Sequence, residues 1–156
     1  MISNTSPLIF LAKIGKIKIL KELFKEITIP KSVKEELLEK NKLDSKIIVK
    51  TLEEDWIKIT NPKDEIELNL GKGENSAISL AKELDDRLII DDSQAIRAAN
   101  ALGIKTYRTT SIILLALKNN KISKEEAIDS INSIIREGYY IAPRYYSQLL
   151  TKLNNF

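Results

Sequence analysis

Short apolar runs recur along this chain, each giving way at a polar residue or a turn to a helical pattern, and no other feature limits the fold as strongly. The runs are Met1–Ser3, Ile27-Thr28-Ile29, Trp56–Ile59, Leu88–Ile90, and a turn into strand over Gly103-Ile104-Lys105-Thr106-Tyr107. Their β-branched residues suit a pleated, buried surface. Between them, apolar residues return at the three- and four-residue spacing of a helix. Strands that alternate with helices pair in parallel, because each connection must cross back over the sheet. The expectation is an α/β fold: a three-layer α/β/α sandwich around a central, mostly parallel sheet, in one domain spanning residues 1–156.

The helices have legible ends. Thr5 or Ser6 caps the first, with Pro7 in its first turn, where a missing N–H costs little. Leu8, Ile9, Leu11, Ala12 and Ile14 form its apolar face, and Gly15 ends it. A second helix spans Ile17–Phe24. Pro30 starts a third, with Val33, Leu37 and Leu38 facing inward, and a fourth runs from Asp44 to Leu52. Thr60–Lys72 holds Asn61-Pro62 and several acids and reads as a surface connection. Glu74 opens a helix carrying Ala77, Ile78, Leu80, Ala81 and Leu84; Asp92–Leu102, Thr109–Asn119, Ser123–Arg136 and Pro143–Leu153 follow. Ser123-Lys124-Glu125-Glu126 is a capping box.

Composition then removes whole classes of chemistry. The 156 residues include no cysteine and no histidine. Disulfide frameworks, thiol nucleophiles, Ser-His-Asp triads and nearly all zinc sites are excluded together. Carboxylate, hydroxyl, lysine, tyrosine or a bound metal remain. No apolar run approaches the roughly 18 to 20 residues of a membrane span, so a cytoplasmic protein is expected. The net charge of +3 is unevenly spread: residues 1–50 carry 11 Lys+Arg against 6 Asp+Glu, residues 51–99 carry 6 against 12, and residues 100–156 carry 8 against 4. An acidic middle between basic ends suits a carboxylate centre bordered by phosphate-attracting surface, but on charge counts alone solvated helix faces that happen to differ are the better explanation.

In a parallel sheet the strand-to-helix junctions lie along one edge, where such folds put their sites. Asn4, Glu74, Asp91 and Asp92 all fall at such junctions. Carboxylates gathered there would repel one another unless a cation held them, and ligands that are all oxygen suit Mg²⁺ or Mn²⁺. Metal-dependent phosphodiester chemistry follows. Each residue also has a plain structural reading: Asp91 or Asp92 as a helix N-cap, Glu74 as a first-turn acid, Asn4-Thr5-Ser6 as a turn and cap. A second aspartate beside a cap is what the structural reading leaves unexplained. Ser6, Ser93, Gln94, Thr109 and Thr110 are supporting polar candidates. Lys72, Arg97 and Arg108 are candidate phosphate contacts, each with a solvated or ion-paired alternative. Tyr139, Tyr140, Arg144, Tyr145 and Tyr146 suit base stacking, core packing or a dimer surface.

Taken together, these residues resemble the PIN-domain nucleases, in particular VapC-like toxins whose N-terminus reads like Ser-Asn/Asp-Thr/Ala-Ser-Pro-Leu-Ile. The likeness runs through Ser3–Ile9, Leu11–Gly15, Ile29-Pro30 with Val33 and Glu36-Leu37, Gly73-Glu74 with Ala77-Ile78 and Leu80-Ala81, Leu88–Asp92, Ala98–Gly103, and Gly138–Ile141. The resemblance implies that the acidic edge binds Mg²⁺ or Mn²⁺ and cleaves RNA through metal-activated water. Asn4 takes the place of the first acid, Glu74 the second and Asp92 the third, with Asp91 beside them. Ser6 matches a hydroxyl position after the first strand, and Thr109 or Thr110 a polar position after the last. It further implies a homodimer and a small antitoxin protein that covers the acidic edge. Two departures stand out: Asn4 where many members have aspartate, and Gln94 where a fourth acid often follows. Neutral amides remain oxygen ligands but attract a divalent cation less. A PIN-like module that binds RNA or a partner without cutting is therefore the alternative. A doubly wound nucleotide-binding domain ranks below both, for want of a Gly-rich phosphate fingerprint.

Overall fold

A computed structural model describes residues 1–40 and 45–156. Among these residues there are five strands, β1 (Ile2–Ser3), β2 (Ile27–Ile29), β3 (Ile57–Ile59), β4 (Leu88–Ile89) and β5 (Thr106–Tyr107). They form one sheet in the order β3-β2-β1-β4-β5, every pair parallel. Nine helices alternate with them: α1 (Thr5–Lys13), α2 (Lys18–Phe24), α3 (Lys31–Lys40), α4 (Ser45–Leu52), α5 (Lys72–Glu83), α6 (Ser93–Ala101), α7 (Thr109–Lys118), α8 (Lys124–Arg136) and α9 (Pro143–Asn154). The α/β/α sandwich expected from the alternation is what the chain forms.

The strand order matters for the site. From β1 the chain moves outward through β2 to β3, then returns past β1 to β4 and on to β5. The direction of winding reverses between β1 and β4, and the crevice outside the carboxyl ends of those two strands is where α/β folds bind ligands. Here β1 pairs Ile2 with Leu88 and Ser3 with Ile89. The Asn4 N–H extends that ladder, donating to the Ile89 carbonyl at 2.9 Å.

The two-residue strands β1 and β4 are buried throughout. Ile2, Leu88, Ile89 and Ile90 are fully excluded from water, which explains why these runs read as continuous apolar stretches without a polar alternation. α5 packs on β1 and β4 with α3 beside it, while α2 lies against β2 and α7, and α7 against α8. Ala77, Ile78, Leu80 and Ala81 of α5 are all buried, so that helix presents a broad apolar face to the sheet.

Several boundaries differ from the sequence expectation. Trp56 precedes β3 and is buried beside it, not in it. Only Thr106–Tyr107 of the Gly103–Tyr107 segment pairs as strand. α5 begins two residues before Glu74, at Lys72. Leu38 does not face inward: it is 49 % exposed, whereas Val33 and Leu37 are buried. Val33 and Leu37 are four residues apart and share one face, and the residue after Leu37 turns about 100° away from it. Ser45–Leu52 is helical, but the expected start at Asp44 lies outside the described residues.

Ile89 sits inside the sheet, paired to Ser3 on one side and to Tyr107 on the other. Ile89→Ala removes a fully buried branched side chain from a site that cannot collapse. It should cost about 2–5 kcal/mol, read as a lower urea midpoint with an unchanged slope.

Candidate functional site

Helices that follow or precede parallel strands in this way start at the carboxyl edge of the sheet, and each brings N–H groups with no partner in its own helix. The sequence satisfies several of them with side chains from elsewhere in the chain. Asn61 Oδ1 accepts from the Lys31 N–H at the start of α3, at 2.8 Å. Glu36, from the second turn of α3, accepts from the Gly73 N–H at the start of α5, at 3.1 Å. Asp91, between β4 and α6, accepts from the Thr109 N–H at the start of α7, at 2.8 Å. The first turns are thereby tied to one another along the edge.

Asn4 is the N-cap of α1 in extended conformation, but its side chain makes no capping bond. It is 6 % exposed, and its Oδ1 has no hydrogen-bond partner. Next to it, Thr5 Oγ1 donates to Glu36 Oε2 at 2.5 Å. Glu36 thus bridges α1 and α5, and it is packed so closely there that a Cβ on Gly73 would stand 2.6 Å from its Oε1. Only glycine lets the carboxylate reach that amide. Glu74, the third residue of α5, is half-buried, and its Oε2 accepts from the Gly71 N–H at 3.1 Å. That is the half of a capping box that a glycine N-cap permits.

The aspartate pair divides its work. Asp92 caps its own helix, accepting from the Ala95 N–H at 2.8 Å, and is otherwise exposed. Asp91 serves α7: besides the Thr109 N–H, it accepts the Thr109 hydroxyl at 2.7 Å and the Tyr139 hydroxyl at 2.6 Å. The doublet is therefore accounted for by two helix starts, without appeal to a metal. Burial raises the Asp91 carboxyl above the ordinary aspartate range, and the Tyr139 and Thr109 donors and the Arg108 charge offset only part of that rise. Tyr139 in turn holds its proton far above the ordinary tyrosine range, because it is buried beside that carboxylate.

Arg108 is fixed at the rim. It donates to the Asp91 carbonyl at 2.5 Å and to Ser93 Oγ at 3.1 Å, and lies 5.8 Å from the Tyr145 ring centre. Thr109 and Thr110 are fully buried; Thr110 is joined to the Tyr145 hydroxyl at 3.0 Å and faces α9. Ser6 is half-buried in the first turn of α1, while Gln94 and Arg97 on α6 and Lys72 on α5 are exposed. Of the C-terminal tyrosines, Tyr139 is core and Tyr140 is 81 % exposed.

Sequence reading missed Glu36. It lies inside an ordinary amphipathic helix, away from any strand end, and it figures in the sequence only within the Glu36-Leu37 pair of the resemblance, with no site role. Its contacts with Thr5 and Gly73 set it against the residues next to Asn4 and Glu74 in the chain.

The oxygen-rich edge was tested for fit to a hard cation. Among the described residues, no three acids stand close enough to form a ready metal cluster. Yet three buried side-chain atoms lack a partner, Asn4 Oδ1, Ser32 Oγ and Asn75 Oδ1, and all three lie at helix starts on this same edge. A buried carbonyl oxygen left without a donor is costly unless water or a cation meets it. Of these, Asn4 Oδ1 lies next to the Thr5–Glu36 pair, and oxygen is the ligand type that suits a hydrated divalent ion such as Mg²⁺ or Mn²⁺.

The pH response of Asp91 follows from its raised value. Folded, it holds its proton more tightly than in the unfolded chain, so its protonated form adds stability that is fully present below about pH 3.9 and is lost as pH rises through the folded value. Asp91→Asn has no such dependence. In chelator, the stability of the wild type relative to this variant should fall as pH rises from about 3.9 through the raised folded value. A difference that grows with pH would mean that the three donors outweigh burial.

The family model described as DUF3368, PIN domain, matches residues 1–155. No curated protein matches the chain. Among solved structures, the chain is similar to a PilT N-terminus domain protein from the hyperthermophilic archaeon Sulfolobus solfataricus P2. That structure is 23% identical with a TM-score of 0.52, over 75% of this chain and 94% of the other, a likeness of fold.

Proposed function

The chain belongs to the PIN-domain family, whose members are generally metal-dependent nucleases, and from that premise we propose that it is a metal-dependent endoribonuclease, the toxin of a toxin–antitoxin pair. One observation supports this most directly: Asn4 Oδ1 is buried without a partner at the crevice between β1 and β4. It is joined through Thr5 to Glu36, and through Ile89 to the strand that ends in Asp91-Asp92.

In this proposal Asn4, Glu36, Glu74 and Asp92 would hold Mg²⁺ or Mn²⁺. The ion, when bound, lowers the pKa of water and stabilises charge on the phosphate, so a chain without histidine can still hydrolyse a phosphodiester. The protein's own residues do the rest. Thr5 and the Gly73 amide hold the Glu36 carboxylate in one orientation. Asp91 is occupied by three donors, so it anchors the β4–α6 turn and adds negative charge behind Asp92. Arg108, held by the Asp91 carbonyl and Ser93, offers its remaining N–H groups to a phosphate at the rim.

The toxin assignment rests on the Ser3–Ile9 segment and its likeness to VapC-like chains. It carries with it a small antitoxin protein that covers the acidic edge, and a homodimer. A second reading, a weakened or inactive module that binds RNA or a partner, is favoured by Asn4 and Gln94 standing where acids are common and by the absence of a close acidic triad among the described residues.

The test is cleavage of a single-stranded RNA pool with Mn²⁺, Mg²⁺ or chelator. The wild type should cut only with metal, and Asp92→Asn and Glu36→Gln should each lose at least about tenfold to a hundredfold. Asn4→Asp should cut faster at low metal, because it restores a charge. Cleavage indifferent to chelator would overturn the metal assignment. Absence of cleavage in both wild type and Asn4→Asp, each shown to be folded, would select the binding module.

A further inference from the structure

A second cavity opens along the same edge, on the β3 side of Glu36. It has a volume of about 280 Å³, and its walls include Lys31, Ser32 and Glu35 of α3, Lys72 and Ser76 of α5, and Glu65 from the connection between β3 and α5. Ser32 stands one helical turn before Glu36, and Lys72 immediately precedes the Gly73 whose amide binds Glu36. Ser32 thus stands about 6 Å of helix rise from Glu36, and the cavity adjoins the candidate centre.

Its chemistry is mixed in a particular way. Lys31 and Lys72 are exposed, and neither forms an ion pair among the described residues. They flank the N-termini of two helices of ten and twelve residues, both with dipoles that favour an anion. Ser32 is 7 % exposed, lines the cavity, and has a hydroxyl with no partner. A buried hydroxyl in that position costs stability unless a ligand meets it. Opposite these donors are carboxylates. Glu65 accepts the Ser76 hydroxyl, while the exposed Glu35 has no such bond among the described residues. Two carboxylates would repel a bare phosphate, yet they readily accept from hydroxyls.

Donors for an anion and acceptors for hydroxyls, in a space of this size, describe a ribose phosphate. We propose that this cavity is a subsite for one nucleotide of the RNA strand, flanking the scissile position: Lys31, Lys72 and Ser32 take the phosphate, and Glu35 takes the ribose 2′-hydroxyl. The subsite makes the nuclease prefer RNA to DNA, because the 2′-hydroxyl is what distinguishes the two at a given position. It rests on the ribonuclease reading and extends it.

The measurement is fluorescence anisotropy of wild type and variants with a fluorescein-labelled single-stranded oligoribonucleotide and with the oligodeoxyribonucleotide of the same sequence, in chelator. RNA cleavage with Mn²⁺ is followed in parallel. Ser32→Ala and Lys72→Gln should each weaken binding of both strands, Ser32→Ala by about tenfold. Lys72→Gln should also lower the slope of log affinity against log salt by about 0.7. Glu35→Ala should leave DNA binding in place and narrow the preference for RNA. Thermal unfolding controls for misfolding: Ser32→Ala should be as stable as the wild type or more so, because it deletes an unpartnered polar group. A wild type that cleaves RNA while all three variants bind both strands as it does would overturn the subsite and leave the nuclease standing. A wild type that neither binds nor cuts RNA would overturn the nuclease reading and the subsite with it.

Discussion

A parallel sheet forces the first turns of its helices onto one edge, and the N–H groups of those turns must find acceptors. Much of the local chemistry of this protein follows from that demand. Asn61 answers it for α3, Glu36 for α5, Asp91 for α7 and Asp92 for α6. Each acceptor is polar or anionic, and each comes to the same edge because the helix it serves begins there. The geometry that stabilises the helices thus also concentrates negative charge in the crevice between β1 and β4.

What separates a stabilising edge from a reactive one is the set of polar groups that capping leaves over. Asp91 has three donors and little left to offer, whereas Asp92 uses one oxygen in its cap and faces solvent. Asn4 caps nothing, and its buried carbonyl oxygen lacks a partner. Glu36 is held by a hydroxyl and an amide that orient it without neutralising its charge. Partners of this kind are what keep an oxygen ligand in place before a metal arrives.

The C-terminal segment reaches back to the same edge through two tyrosines. Tyr139, buried edge-on against Phe10 with ring centres 5.1 Å apart, donates to Asp91, and Tyr145 joins Thr110 and lies near Arg108. Base stacking, core packing and a dimer surface were all compatible with that aromatic cluster as sequence. Tyr139 went to the core, where its ring packs against Phe10 of α1 and its hydroxyl meets the Asp91 carboxylate.

Strand and helix alternation, the caps at Asp92 and Ser123, and the apolar faces of α1 and α5 could be read from residue order alone, since they depend on local spacing. Oxygen as the ligand type was likewise determined by composition, because a chain without cysteine or histidine has little else to offer. Ends of strands were less legible: Trp56 and Ile90 are as apolar as their neighbours, and only pairing decides where a ladder stops. Asp91-Asp92 looked like a doublet in need of a counter-ion because α7, the helix that Asp91 caps, begins 18 residues later and is brought beside it only by the pairing of β4 with β5. Glu36 and the Ser32 cavity were invisible for the same reason. Their partners, Thr5, Gly73 and Lys72, lie more than 30 residues away in sequence, and only the packing of α3 between α1 and α5 makes them neighbours.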